Sequence, residues 1–270
     1  MEALRQIEGW GATTAAAGVA SADGPIAVHG PTGARLRLAS VTKPLFAYAV
    51  LVAVEEGTIA LDDAAGPPGA TVRHLLAHAS GLGFDTPDAL ARPGTRRIYS
   101  NTGFEVLGTA LAERAGMTEA EYLHAAVLAP LGMASTSLDG SPAAFAFGTV
   151  DDLLRFGREL LAPTLVAPET LGTATNVAFP GLSGVLPGIG RFDPLDWGLG
   201  FELRDAKQPH WTGTTNSPQT FGHFGGSGTF LWVDPPAQLV CVALTDREFG
   251  PWALDAWPAL SDAVLAEPRG

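Results

Sequence analysis

The stretch Leu38-Ala39-Ser40-Val41-Thr42-Lys43-Pro44, running into the unbroken ten-residue apolar segment 45–54, decides how this chain reads. A hydroxyl and an amine stand three residues apart at the mouth of a very hydrophobic helix, and residues i and i+3 share a helix face. Ser40 is a weak nucleophile unless a base takes its proton, and a desolvated lysine with a lowered pKa can do that. The start of a helix also offers free backbone N–H groups and partial positive charge to a developing oxyanion. Pro44 fits there, since proline is tolerated in a first helical turn. Composition points the same way. The chain has two lysines, Lys43 and Lys207, against 14 arginines. A residue needed only as a cation can be arginine; one that must give up its proton cannot. Taken alone, the same four residues also read as a serine cap beside a solvated lysine, so the rest of the chain has to decide.

The chain has 270 residues, 46% of them apolar, enough for one large domain or two lobes. Its formal net charge of -12 argues against nucleic acid and anionic membrane as partners. The single cysteine, Cys241, lies in an apolar run and reads as a core residue. The N-terminus lacks a basic segment followed by an apolar one, and the longest apolar run is too short to span a bilayer. A soluble, cytoplasmic protein is expected.

Elements follow from periodicity and turn signals. Residues 1–8 suit a short helix. Residues 13–20 and 25–29 read as strands around the turn Ser21-Ala22-Asp23-Gly24. Helices are expected over 71–79, 101–115 and 118–128, and from a Thr149 cap to 161. Residues 172–195 are rich in glycine and proline and read as irregular. Strand signals return at 197–203, 222–233 and 238–245, and a helix closes the chain over 252–265. The expected fold is therefore α+β. One lobe, residues 1–60 and 196–270, carries an antiparallel five-stranded sheet flanked by helices. A mostly helical lobe spans 61–195, and the active site lies between the two.

Two more stretches carry chemistry. Tyr99-Ser100-Asn101 opens a helix. Its phenol can act as base or relay for Ser40 if a lysine cation lowers its pKa, and its amide can hold a carbonyl. The run from Gly222 through His223, Phe224, Gly225 and Gly226 to Gly228 is glycine-rich for a strand, which marks close approach of another backbone or a ligand.

Together, Ser40-Val41-Thr42-Lys43, Tyr99-Ser100-Asn101 and His223-Phe224-Gly225 resemble the three motifs of the serine hydrolases of the β-lactamase and penicillin-binding protein (transpeptidase) fold. The look is nearest to the class C β-lactamase-like esterases and D-amino-acid peptidases. The stretches 74–82, 130–133 and Trp197-Gly198-Leu199-Gly200 support the resemblance, which covers roughly residues 13–266. It implies Ser40 as the acylated nucleophile and Lys43 and Tyr99 as the groups that share the proton work. It also implies an oxyanion hole from the N–H groups of Ser40 and Gly226, with Asn101, His223, Phe224 and Gly225 at the substrate. No metal or organic cofactor is implied. His223 stands where the carboxylate-binding relatives carry lysine, and Phe224 removes the adjacent hydroxyl. Both changes favour uncharged esters or lactones. A β-lactamase or D-Ala peptidase is the alternative, and a catalytically silent binding protein on the same fold is an alternative of another class. The expected partner is a small-molecule ester or amide; the oligomeric state stays open.

Other motifs are weaker. His74 and His78 have zinc-ligand spacing but no accompanying glutamate, and read as a packed or N–H-donating pair. Arg96-Arg97 reads as a solvated pair. Neither a Gly-x-Ser-x-Gly elbow nor a phosphate loop is present.

Overall fold

The structure, a computed structural model, describes residues 1–267. Its frame is one antiparallel sheet of six strands: β1 (Ala15–Ser21), β2 (Gly24–His29), β3 (Glu202–Leu203), β4 (Phe221–Gly225), β5 (Thr229–Asp234) and β6 (Leu239–Thr245). Their spatial order is β2-β1-β6-β5-β4-β3. The N-terminal β1 lies directly against the C-terminal β6, in a register from Ala15 opposite Thr245 to Ala20 opposite Val240. The two ends of the chain thus build one sheet, and the long middle segment leaves and returns to it.

The sheet has six strands where five were expected, and the difference arises at one turn. Residues 222–233 do not form a single strand. They fold back at Gly226-Ser227-Gly228, with Gly228 at a φ of 77°, and Gly225 pairs with Thr229 across the hairpin. The apolar run hid a turn whose only signal was glycine. The expected strand 197–203 is also shorter, reduced to Glu202–Leu203 with one bridge back to Trp197.

Strands β5 and β6 are buried at every position because both faces of the sheet are covered. Side chains alternate between the faces. Leu231, Val233, Val240, Val242 and Leu244 enter one core; Phe230, Trp232, Leu239, Cys241 and Ala243 enter the other. The second core is closed by the 3-10 helix Glu2–Trp10 and the C-terminal helix Pro251–Ala266, which supply Leu4, Ile7, Trp10, Trp257 and Leu260. Cys241 sits here, fully buried, and burial pushes its thiol pKa up.

The first core holds α1 (Thr42–Glu55), apolar nearly all round and buried from Thr42 to Ala53. It also holds α2 (Asn101–Ala115) and α3 (Val150–Leu161). Helix α3 belongs by sequence to the segment 61–195 that was expected to form the helical lobe, yet it packs on the sheet, against β1 and β6. Glycines make this possible: a Cβ on Gly18 would overlap Leu154, and one on Gly157 would overlap Val240. The Thr149 hydroxyl caps α3, accepting from the Asp152 N–H at 3.2 Å. The stretch 172–195, expected to be irregular, begins in the last turn of the helix Pro168–Ala174 and contains a hairpin of Gly184–Leu186 and Gly190–Phe192; the first of these strands runs parallel to Arg97–Ile98. Among the described residues no helix is long and apolar enough to cross a membrane.

The contact between α3 and β6 is therefore a glycine contact, and adding one methyl there should overpack it. Gly157→Ala is expected to lower stability by about 1–3 kcal/mol, read as a shift of the urea midpoint. An unchanged midpoint would mean that the helix rides off the sheet without cost.

Candidate active site

Ser40 sits in the 3-10 turn Ala39–Val41 that leads into α1. Two segments pin this turn from opposite sides. The Leu38 N–H donates to the Ala146 carbonyl at 2.9 Å, and the Ala146 N–H donates to the Thr42 hydroxyl at 3.0 Å. From the β4–β5 hairpin, the Thr229 hydroxyl donates to the Leu38 carbonyl at 2.9 Å and the Ser227 hydroxyl to the Arg37 carbonyl at 2.7 Å. The hairpin can come this close only because residue 225 is glycine: a Cβ there would collide with the Leu38 carbonyl and the Thr229 hydroxyl.

One helical turn on, Lys43 is fully buried. Its Nζ lies 2.6 Å from Asn101 Oδ1, 2.8 Å from the Ala143 carbonyl and 3.4 Å from Ser40 Oγ. It also stands 4.7 Å above the Tyr99 ring. Burial lowers its pKa to about 7, against the opposing pull of Asp85 and Glu105.

Tyr99 and Asn101 flank the start of α2, where the Ser100 hydroxyl caps the helix by accepting from the Gly103 N–H at 2.8 Å. Asn101 faces Lys43 with its carbonyl, while its Nδ2 donates to Asp85 at 2.8 Å. Both ends of the amide expected at the substrate are thus engaged within the chain.

The Tyr99 Oη is 3.3 Å from His223 Nε2, and His223 Nδ1 is 2.6 Å from the Phe224 carbonyl. A carbonyl only accepts, so Nδ1 carries the proton and Nε2 is left to accept from the phenol. Burial, reinforced by the Lys43 charge, lowers the His223 pKa to about 3. The phenol shifts the other way. Burial raises its pKa, hydrogen bonding to Ser40 only partly offsets this, and the Asp85 charge adds to the rise. The sequence reading allowed a phenolate base if a lysine cation lowered this pKa. Burial raises it instead, and Tyr99 keeps its proton.

These groups open on a cavity of about 200 Å³ lined by Ser40, Tyr99, His223, Phe224 and Gly226, with an apolar wall of Phe84, Leu186, Pro187 and Phe249. No charged side chain lines it among the described residues. Neither the Ser40 nor the Gly226 N–H has an acceptor among the described residues, so both remain available as donors. Phe224 packs against Phe249, its ring centroid 4.9 Å away. Lys43 and Asn101 lie behind the cavity, and Gly225 serves the apposition of strand and turn.

Two other sequence readings change. Arg97 is buried and unsolvated: it donates to the carbonyls of Leu195 (3.0 Å), Ala77 (2.5 Å), Ala178 (2.7 Å) and Phe179 (3.1 Å). Burial lowers its pKa to about 10, and Asp196 opposes the shift. His74 and His78 do not share a helix, because the helix is only Val72–Leu76 and His78 has a φ of 53°. His74 Nδ1 accepts from the Thr71 N–H at 3.3 Å, while His78 Nδ1 accepts from the Ser100 N–H at 3.1 Å. The sequence reading missed the Ala143 carbonyl, Asp85 and the hairpin side chains Leu186 and Pro187. A carbonyl carries no sequence signal, and Asp85 belongs to none of the motifs. Pro187-Gly188 did offer a turn signal.

A family model described as Beta-lactamase matches residues 8–265. Esterase EstB of Burkholderia gladioli is 26% identical, over 85% of this chain and 82% of that protein. Penicillin-binding protein 4* of Bacillus subtilis is 28% identical over 39% of this chain, a match that takes in only 31% of that protein's length. The crystal structure of a β-lactamase from Mycobacterium bovis superposes with a TM-score of 0.97 at 56% identity, covering 98% of each chain.

The apposition of β4 and the serine turn is open to test. Gly225→Ala is expected to cost about 1–3 kcal/mol of stability by overpacking and to slow reaction of Ser40 with a fluorophosphonate. Thermal denaturation and labelling rate measure the two effects. A variant that matches the parent in both would show that the turn yields freely.

Proposed function

We propose that this chain, which belongs to the Beta-lactamase family and is a serine hydrolase at that level, is an esterase acting through an acyl-enzyme on small neutral esters or lactones. The observation that carries the ester reading is the uncharged cavity. His223, where a carboxylate-binding cation is the alternative, is held neutral with both nitrogens occupied, and Phe224 presents only carbon. A substrate carboxylate buried there would lose its water without gaining a partner. Esterase EstB, alike over most of both chains, lends support by its name.

The proposed chemistry follows from the hydrogen-bond inventory of Lys43. A neutral amine has two N–H donors and one lone pair. The Asn101 and Ala143 carbonyls take the two donors, which leaves the lone pair for the Ser40 O–H. The 3.4 Å separation is one that closes as substrate binds. Ser40 Oγ bonds to the ester carbon as its proton passes to Lys43. The carbonyl oxygen becomes an oxyanion and meets the N–H groups of Ser40 and Gly226. When the C–O bond to the alcohol breaks, the leaving oxygen takes the Tyr99 proton, which Lys43 restores. Water then attacks the acyl-enzyme while Lys43 takes a proton from it, and Ser40 regains its own. His223 is a positioning residue: its Nε2 accepts from the Tyr99 hydroxyl in the resting site and holds it in place until the leaving alkoxide, a far stronger base than the imidazole, takes the proton.

The second reading is a β-lactamase, favoured by the β-lactamase from Mycobacterium bovis, 56% identical along nearly its whole length. Comparing kcat/KM for a neutral ester and for a cephalosporin decides between them. A charge-assisted bond to carboxylate is worth about 1.5–3 kcal/mol, or roughly 10–150-fold. The parent should prefer the ester, and His223→Lys with Phe224→Thr should shift the ratio toward the cephalosporin. A parent that prefers the cephalosporin would overturn the ester reading. Loss of fluorophosphonate labelling in Ser40→Ala, with the fold retained, checks the nucleophile.

The pH dependence has a definite sign. Lys43 works as the neutral amine, so kcat/KM should rise through a pKa of about 7 and level off above it. Asp85 favours the ammonium form. Asp85→Asn should therefore move the acid limb to lower pH, as read from pH profiles of both proteins. A limb that stays in place, or moves up, would remove Lys43 as the titrating base.

A further inference from the structure

Beside the catalytic cavity runs a second groove of about 280 Å³, lined by Phe84, Leu90, Ile98, Tyr99, Val185 and Pro187 together with Arg96 and Arg97. Three of its side chains are large, apolar and open to water: Leu90 is 64% exposed, Val185 49% and Phe84 47%. They come from two separate segments, the loop that precedes the Arg97–Ile98 strand and the Gly184–Phe192 hairpin. Apolar side chains converging on one exposed face mark a binding surface. Of the two arginines, the Arg97 guanidinium is spent on four carbonyls, and Arg96 is exposed. The groove is therefore a mostly apolar trough with the exposed Arg96 beside it.

Its position says what would occupy it. The groove shares Phe84, Tyr99 and Pro187 with the catalytic cavity, so the two spaces adjoin at these side chains. Ser40 and Gly226, which would bracket the acyl carbon and its oxyanion, line the cavity and not the groove. Tyr99, which would hand its proton to the leaving oxygen, lines both. An ester placed with its carbonyl at Ser40 and its alkoxy oxygen at the Tyr99 hydroxyl has its acyl arm inside the cavity and its alcohol arm directed over Tyr99 and Pro187 into the groove.

We propose that this groove is the alcohol subsite, and that the preferred substrates are esters of a short acyl group with a longer apolar alcohol. The inference rests on the esterase reading above and adds which arm of the ester is long. Each methylene the groove removes from water is worth up to about fourfold in kcat/KM, the equivalent of about 0.8 kcal/mol per buried CH₂.

Two ester series test it. One holds acetate constant and lengthens the alcohol from methyl to hexyl; the other holds ethanol constant and lengthens the acyl group from acetyl to hexanoyl. Hydrolysis is followed in a pH-stat. The alcohol series should climb by about two- to fourfold per methylene, and the acyl series should stay flat or fall once the small cavity is full. Leu90→Asp and Val185→Asp should each cut the hexyl-to-methyl acetate ratio by about fivefold or more. Both positions are solvent-exposed, so the fold should tolerate the change, and the gentler Leu90→Ser and Val185→Thr should cut the ratio in the same direction. Turnover of methyl acetate with a flat alcohol series, a climb confined to the acyl series, or an unchanged ratio in all four variants overturns this inference alone. Failure to hydrolyse any ester overturns the esterase reading and this inference together.

Discussion

A lysine amine shut away from water, held by two carbonyls and standing 3.4 Å from a serine hydroxyl, is the constraint on which the rest of this structure depends. Burial, working against the pull of Asp85 and Glu105, brings the Lys43 pKa down to about 7, and burial requires walls. Helix α1 supplies one by being apolar nearly all round, and the Tyr99 and Phe104 rings supply others, 4.7 and 5.6 Å from the amine. The acceptors must be neutral and fixed. Asn101 is fixed by α2 and by Asp85; the Ala143 carbonyl is fixed because the following segment is hydrogen-bonded on both sides of the serine turn. The β4–β5 hairpin completes the enclosure, and its glycine at 225 lets it approach. Elements from five separate parts of the chain thus meet around one nitrogen.

The side chains of the candidate site were legible because the chemistry proposed for them dictates residue type. A nucleophile, an ionisable amine and a phenol have few substitutes, and the motif spacing placed them at the starts of helices. The sheet was legible for a related reason: runs of apolar residues near both ends of the chain can be buried only by joining. What escaped was whatever depends on backbone or on distance. The hairpin inside 222–233 is apolar on both sides of its turn, so periodicity carried no break. Helix α3 is an amphipathic helix like others in the middle segment, and nothing in its own sequence says which surface it covers; glycines 18 and 157, far apart in the chain, make the fit. Arg97 looked like half of a solvated pair, because its four carbonyl partners leave no trace in composition. The state of Tyr99 turned on its dehydration, which depends on the folded surroundings and which spacing alone does not weigh.

The chain's two lysines show why residue type alone was not enough. Lys207 is as buried as Lys43, but its Nζ meets the Glu202 carboxylate at 2.8 Å. It also donates to the carbonyls of Asp196 and Leu203. Burial alone would raise the Glu202 pKa, yet Lys207 and His210 together hold it at about 2. That pair is a closed charge arrangement whose loss would leave a buried ion unmatched. Scarcity of lysine therefore did not by itself mark a base, since one of the two serves as a structural cation. What separates them is the partner: Lys207 touches a carboxylate, whereas Lys43 touches neutral carbonyls, with carboxylates one residue further off, and its pKa is brought down to about 7. The distinction lies in whether a negative charge touches the amine directly or only through Asn101, and in this fold that one intervening amide allows Lys43 to titrate near neutral pH.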